Sequence, residues 1–361
     1  MLIRDLPDCL VCLCRQAVEA GRFLDLTREV REGLIRQTLA HLAGRSWDVS
    51  PPEIAAETQE FMRRLSGNDD PYRAIKQAST EAALALWPRW EAKALSHPDP
   101  LAWALRLSAA GNLIDCGPTG SLDLAAIRQR MDFALRQPFG VVDLEPLRDL
   151  LAKAGRLLLL ADNAGELVAD RLLLEVIERA RPGLPITVMV RGGPVLNDAI
   201  REDAVASGLP ARWSIADSGA RIPGFPPAAV SPGAREAFRQ ADVVIAKGQG
   251  NWETLGAVPH AGLFFLLTAK CPAVAAGLDV ETGAAVLRLA GPGTGGRTAD
   301  TGAAESEDPA RRTGPSRALS DDPARSAEGP RPVVSKGGES TVEGSASRMS
   351  SPAIPSTGED G

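Results

Sequence analysis

Beyond Gly155 the sequence changes to short apolar runs separated by helical segments, a pattern that few folds accept. Residues 156–161 form an apolar run that ends in a polar cluster, and 167–180 follow with helical spacing. Residues 185–190 are β-branched and apolar, 195–206 read as a helix, and 211–215 as a short strand. A helix over 232–240 then separates strands at 243–246 and 263–267, and the sheet is expected to end soon after Cys271. Buried strands alternating with helices predict a parallel sheet covered on both faces. In such sheets ligands sit beyond the carboxyl ends of the strands, so the loops there are where chemistry is sought.

Residues 1–140 read as all-helical, without period-2 alternation. Helices are expected over 9–23 and over 26–42, the latter with a stripe of Leu34, Ile35, Leu39 and Leu42. Ser50 reads as the N-cap of a helix opening at Pro51 and Pro52. Pro71 opens a further helix that Trp87-Pro88 interrupts or kinks, and 101–114 form another. Residues 141–290 make the α/β domain. From Gly291 to Gly361 there is no aromatic residue, and the only large apolar ones are Leu319, Val333, Val334, Val342, Met349 and Ile354. Such a segment buries too little surface to offset its ordering entropy and is expected to be a disordered tail.

Several classes drop out. Apolar runs reach only about six residues against the roughly 18 of a membrane span, and no secretory leader is apparent. Five cysteines in 361 residues are not a disulfide framework, which points to a reducing, cytoplasmic setting. A net charge of −6 and a pI near 5.4 argue against a nucleic-acid binder.

Three strand ends carry the chemistry. Asp162-Asn163-Ala164-Gly165-Glu166 follows the first strand, and Asp198 is expected one turn into the helix after the second. Either segment alone would serve as helix-terminal polar residues. Together Asp162, Asn163 and Asp198 offer three oxygen ligands, enough for a hard divalent cation that keeps its waters. None of the three histidines lies in these loops, so a histidine-built zinc site is not expected. Lys247-Gly248-Gln249-Gly250-Asn251 at the next strand end reads as a Gly-rich turn with a lysine, suited to a phosphate, the alternative being a surface lysine. Neither a P-loop nor a dinucleotide fingerprint is present. Asp70 reads as a helix cap with Lys76 one turn on, Asp115 stands at a helix end that disfavours acids, and Arg221 as a solvated loop residue. Cys9-x-x-Cys12, with Cys14 nearby, is at most half a metal site, and Cys271 is a distant third candidate.

Taken in order, seven segments resemble the metal-dependent damage-control phosphatases, catalogued earlier as domain of unknown function eighty-nine. They are Cys9-Leu-Val-Cys12 with Arg15-Gln16-Ala17, Asp70-Pro71-Tyr72, Gly111-Asn112-Leu-Ile-Asp115, Asp162-Asn163-Ala-Gly-Glu166, Asn197-Asp198, Lys247-Gly-Gln-Gly-Asn251-Trp-Glu253 and Lys270-Cys271-Pro272. The N-terminal C-x-x-C is similar to that of the microbial branch. The resemblance implies an α/β fold, a Rossmann-like α/β/α sandwich with an N-terminal helical domain. It also implies hydrolysis of a small phosphorylated metabolite, a damaged or side-product phosphate ester, with Mg, Mn, Co or Ni as cofactor. Asp162, Asn163 and Asp198 would hold the metal, and Lys247 would bind the phosphoryl group. Asn112, Asp115, Glu166, Gly248 and Asn251 would complete the substrate site, with Cys9, Cys12 and Cys271 as a candidate second metal or thiol site. The nucleophile is either a water or Asp162 itself. Two rival readings are an S-adenosylmethionine-dependent carboxyl methyltransferase, which leaves the acidic cluster unexplained, and a non-catalytic metabolite-binding protein. Removing Gly291–Gly361 should leave both the melting temperature and activity nearly unchanged; a large drop in melting temperature would mean that the tail docks.

Overall fold

The computed structural model describes residues 6–24, 26–44, 49–114 and 124–291. Asp115 and the segment beyond 291 lie outside the described residues, as does the side chain of Asn112.

Six helices precede the first strand: α1 (Leu6–Phe23), α2 (Arg28–Ala43), α3 (Pro51–Ser66), α4 (Arg73–Ser96), α5 (Pro100–Ala110) and α6 (Leu124–Ala134), with a 3₁₀ turn at Gly111–Ile114. Ser50 caps α3 as expected, its backbone N–H donating to Glu53 in a capping box. Trp87-Pro88 does not end α4. Pro88 lies on the exposed side, where the carbonyl it leaves unbonded can be hydrated. The buried stripe of α2 runs Leu34, Thr38, Leu42, while Leu39 is exposed; the seam follows the i, i+4 ridge.

The remainder alternates: β1 (Phe139–Val142), α7 (Leu144–Lys153), β2 (Leu157–Leu160), α8 (Leu167–Ala180), β3 (Ile186–Val190), α9 (Arg201–Ala206), β4 (Ser214–Asp217), α10 (Pro232–Gln240), β5 (Val243–Lys247), α11 (Gly248–Leu255), β6 (Leu263–Thr268), α12 (Pro272–Leu278) and β7 (Ala285–Leu289). The seven strands are ordered β1-β7-β6-β5-β2-β3-β4. Pairing is parallel throughout except between β6 and β7, so β1 and β7 run opposite to the other five. The sheet therefore does not end after Cys271. Both reversed strands escape the sequence pattern because they are not uniformly apolar: β1 carries a glycine, and β7 carries Arg288, which donates to the Leu278 carbonyl.

The strands are buried on both faces. Leu157 and Leu159 point into a core shared with Trp90, Leu105, Ile127 and Leu173, so α4, α5, α6 and α8 cover that face. Leu158 and Leu160 point into a second core with Phe238, Trp252 and Leu278, supplied by α10, α11 and α12. The result is three layers, with helices of the N-terminal half forming part of one layer. Smaller cores join α1, α2 and α3.

Strand order reverses between β2 and β5: the chain leaves β2 toward β3 and β4, then returns to the other side of β2 as β5. That switch point is where open α/β sheets bind ligands. Close approach of layers here depends on Gly165, where an added Cβ would lie 2.7 Å from the Ser79 Cβ and 3.0 Å from its backbone carbon. Gly165→Ala should push α4 from the start of α8 and cost about 1–3 kcal/mol, as overpacking does, read as a lower urea midpoint; an unchanged midpoint would count against this contact.

Candidate active site at the switch point

The expected helix over 195–206 begins only at Arg201, so Asp198 does not sit one turn into it. Residues 194–200 form a loop with Leu196 at φ 48°, and that loop pairs with the segment after β2. Ala199 N–H donates to the Asp162 carbonyl at 2.7 Å, and Ala164 N–H to the Asn197 carbonyl at 3.0 Å. The pairing forms an antiparallel bridge between Asn163 and Asp198, and so brings two of the three predicted ligands side by side.

Arg191, just past β3, lies beneath them. Its Nε donates to Asp198 Oδ2 at 2.6 Å, and its Nη2 is 3.9 Å from Asp162 Oδ1. It is among the largest fully buried side chains of the described set. From the other side of the switch point, Gly248 approaches Asp162 so closely that a Cβ there would stand 2.0 Å from Asp162 Oδ2. Its φ of +75° also favours glycine. The Gly-rich turn predicted here is instead the first turn of α11, which starts directly after Lys247.

Asn163 Nδ2 donates to Asp162 Oδ2 at 3.1 Å and to Glu166 Oε2 at 3.3 Å. Lys247 is fully buried and paired with Glu166 and Asp170, which excludes the surface-lysine alternative. Asn251 is also fully buried. Its amide donates to the carbonyls of Leu160, Ala161 and Lys247, tying β2 to the start of α11. A cleft lies against this cluster, lined by Lys76, Ser79, Asn163, Glu166 and Asn197 with Gly111 and Ile114.

The sequence profile of the damage-control phosphatase ARMT1-like domain matches residues 6–286. The chain belongs to that family. A protein named damage-control phosphatase from Pyrococcus horikoshii is 32% identical over 282 residues, 77% of this chain and 96% of its own length. Another damage-control phosphatase, from Archaeoglobus fulgidus, is 28% identical over 290 residues, 78% of this chain and 98% of its own. The crystal structure of a DUF89 family protein from P. horikoshii matches with a TM-score of 0.70 at 30% identity, covering 79% of this chain and 98% of that one.

In this damage-control phosphatase family member, two further basic residues are committed to ion pairs. Lys76, buried in the cleft wall, pairs with Asp70 at 2.8 Å and Asp203 at 3.0 Å, so Asp70 is more than a cap. Arg221 pairs with exposed Asp69 at 2.8 Å. The cysteines lie elsewhere, on α1 and at the N-cap of α12. Burial, followed by Glu253, Cys271 and Cys12, pushes the Cys9 thiol up to about 11, and burial also raises Cys12. Both are therefore held as thiols near neutral pH, and the four described cysteines are unbridged. Burial raises Glu253 to about 7. Among the described residues no three His, Cys, Asp or Glu side chains are arranged to hold a metal ion. The set at the switch point is of another kind, two carboxylates and one amide.

Sequence reasoning missed Arg191 and Asp170. Arg191 falls between the strand read at 185–190 and the helix read over 195–206, and Asp170 falls within the helical segment 167–180 with nothing to single it out. The strand-end position of Arg191 is the signal that could have found it.

The electrostatics are unbalanced. Among the described residues, Asp162, Glu166, Asp170 and Asp198 are ion-paired to Arg191 and Lys247, with Lys270 acting on Asp162 and Lys76, itself shared by Asp70 and Asp203, acting on Asp198 from further off. Burial, then Asp198 and Glu166, pushes the Asp162 carboxyl well above its ordinary range. Burial also raises Asp198, although Arg191 opposes it, and raises Asp170 to about 6 against the pull of Lys247. A carboxyl raised in the folded state binds more protons there than in the unfolded chain. Stability of the cation-free protein is therefore lost as pH rises from the ordinary carboxylate value near 4 through the raised values. A divalent cation competes with those protons. The rise in melting temperature given by a fixed Mn²⁺ concentration should accordingly be larger at about pH 8 than at about pH 5, as thermal melts would record; an equal or reversed effect would argue against a cation among these carboxylates.

Proposed function

We propose that this chain is a divalent-cation-dependent phosphomonoesterase acting on a small phosphorylated metabolite, a damaged or side-product phosphate ester. The observation that carries the reading is the excess of buried carboxylate at the switch point, beside a polar cleft. Family membership and the relatives named damage-control phosphatase support the phosphatase activity.

The residues fit a hard cation. Asp162, Asn163 and Asp198 would hold it through oxygen, the donor set of ions such as Mg²⁺ and Mn²⁺ that retain waters, and one that Co²⁺ and Ni²⁺ also accept. When bound, such an ion polarises a phosphoryl oxygen and favours ionisation of an attacking water. The protein does the rest. Arg191 fixes the Asp198 carboxylate, and the bare Cα of Gly248 leaves room for that of Asp162. Ser79, Asn163 and Asn197 give the cleft hydrogen-bonding walls suited to a small hydrophilic ester. No helix among the described residues is long and apolar enough to cross a membrane. A cytoplasmic setting, in keeping with the unbridged cysteines, is part of the proposal.

The test is release of inorganic phosphate from an aryl phosphate by chelator-treated protein, with and without Mg²⁺, Mn²⁺, Co²⁺ and Ni²⁺. Release should require an added cation. Because Asp198 is buried against Arg191, Asp198→Asn is the informative variant, since Ala would strand the guanidinium. It should lower kcat by on the order of a hundredfold or more and leave the melt cooperative. Full activity in the chelated protein, or in Asp198→Asn, would sink the reading.

A further inference from the structure

An ammonium group has three N–H donors, and those of Lys247 have three acceptors: the Ser108 carbonyl at 2.8 Å, Asp170 Oδ1 at 3.0 Å and Glu166 Oε1. Burial works against the charge, but Asp170 and Glu166 outweigh it and raise the lysine above its ordinary value. Ser108 Oγ donates to the same Asp170 oxygen at 2.5 Å, bracing that partner from α5. No donor is left over for a phosphoryl oxygen.

The network leads to the cleft by another route. Glu166 accepts Lys247 on Oε1 and Asn163 on Oε2. Asn163 spends both amide hydrogens, one on Glu166 and one on Asp162. Flipping that amide would set its oxygen against two carboxylates, so the pairings fix its orientation. Asn163 Oδ1 is thereby turned away from both carboxylates and kept as a neutral oxygen ligand. Partners behind a metal ligand commonly set its aim in this way.

We propose that Lys247 is a positioning residue: locked by Asp170 and Ser108, it acts through Glu166 to aim Asn163 Oδ1 at the cation, and it makes no direct bond to the phosphoryl group. This rests on the cation-dependent reading above. The ion pair does the work of a hinge pin, holding the one ligand that has no charge of its own to orient it.

The test measures cation binding apart from turnover. Chelator-treated protein is titrated with Mn²⁺ alone, followed by the electron paramagnetic resonance of free Mn²⁺. Orthophosphate is then titrated calorimetrically into the Mn²⁺-saturated protein. Lys247→Met should weaken Mn²⁺ affinity by about ten- to a hundredfold and leave orthophosphate affinity at saturating Mn²⁺ unchanged. Because Lys247→Met strands Glu166 and Asp170 without a counter-charge, the same titrations are made on Lys247→Met with Asp170→Asn. That pair removes one charge of each sign, and Asp170 does not line the cleft. Unchanged or tighter Mn²⁺ binding in the variant that folds overturns the proposal. So does weaker orthophosphate binding at saturating Mn²⁺, whatever the Mn²⁺ affinity. Failure of the unaltered protein to bind Mn²⁺ instead removes the cation-dependent reading, which keeps the two failures apart.

Discussion

Three buried carboxylates, those of Glu166, Asp170 and Asp198, and a partly buried fourth, that of Asp162, gather where strand order reverses, and among the described residues just two cations, Arg191 and Lys247, are paired directly with them. Burying an ionised carboxylate without compensation is so unfavourable that the group protonates or finds a partner. Much of the surrounding architecture serves that demand. The bridge between the loops after β2 and β3 fixes the backbone from which Asp162 and Asp198 project. Arg191 and Lys247 are brought in fully buried, at the ends of β3 and β5. The remaining negative charge is what supports the proposal of a cation at this corner of the sheet.

The layers explain why the site is assembled from distant parts of the chain. The carboxyl ends of β2, β3 and β5 supply Asp162, Arg191 and Lys247, while α4 and the turn after α5 close the cleft from the N-terminal half. The helical segment therefore builds part of one face of the core and one wall of the cleft. Gly165 and Gly248 allow these parts to meet without an intervening side chain.

Much of this was legible in the sequence, for a physical reason. Strands buried on both faces are written as uniform apolar runs, and the runs at 157–160, 243–246 and 263–267 stand out within β2, β5 and β6. Helices such as Pro232–Gln240 carry a proline start after a serine cap. The acids after β2 were visible because a strand's end is a defined place. What was hidden depends on tertiary pairing. The loop holding Asp198 has helix-compatible residues and is held open by hydrogen bonds to a segment far along the chain. Asp170 looks like any polar residue on a helix, and nothing local marks it as facing Lys247. The reversed strands β1 and β7 have interrupted apolar patterns, and their pairing with each other and of β7 with β6 is not visible locally.

The ammonium of Lys247 touches Ser108, 139 positions earlier in the chain, and Glu166, 81 positions earlier. Until β5 has emerged from the ribosome, Glu166 and Asp170 therefore have no counter-ion, and the core between α5 and α8 must close around bare or protonated acids. A chain interrupted before that strand can complete neither its charge balance nor its core. Lys247 thus ties together three stretches that are far apart in sequence, and the charge balance between α5 and α8 closes only when all three are present.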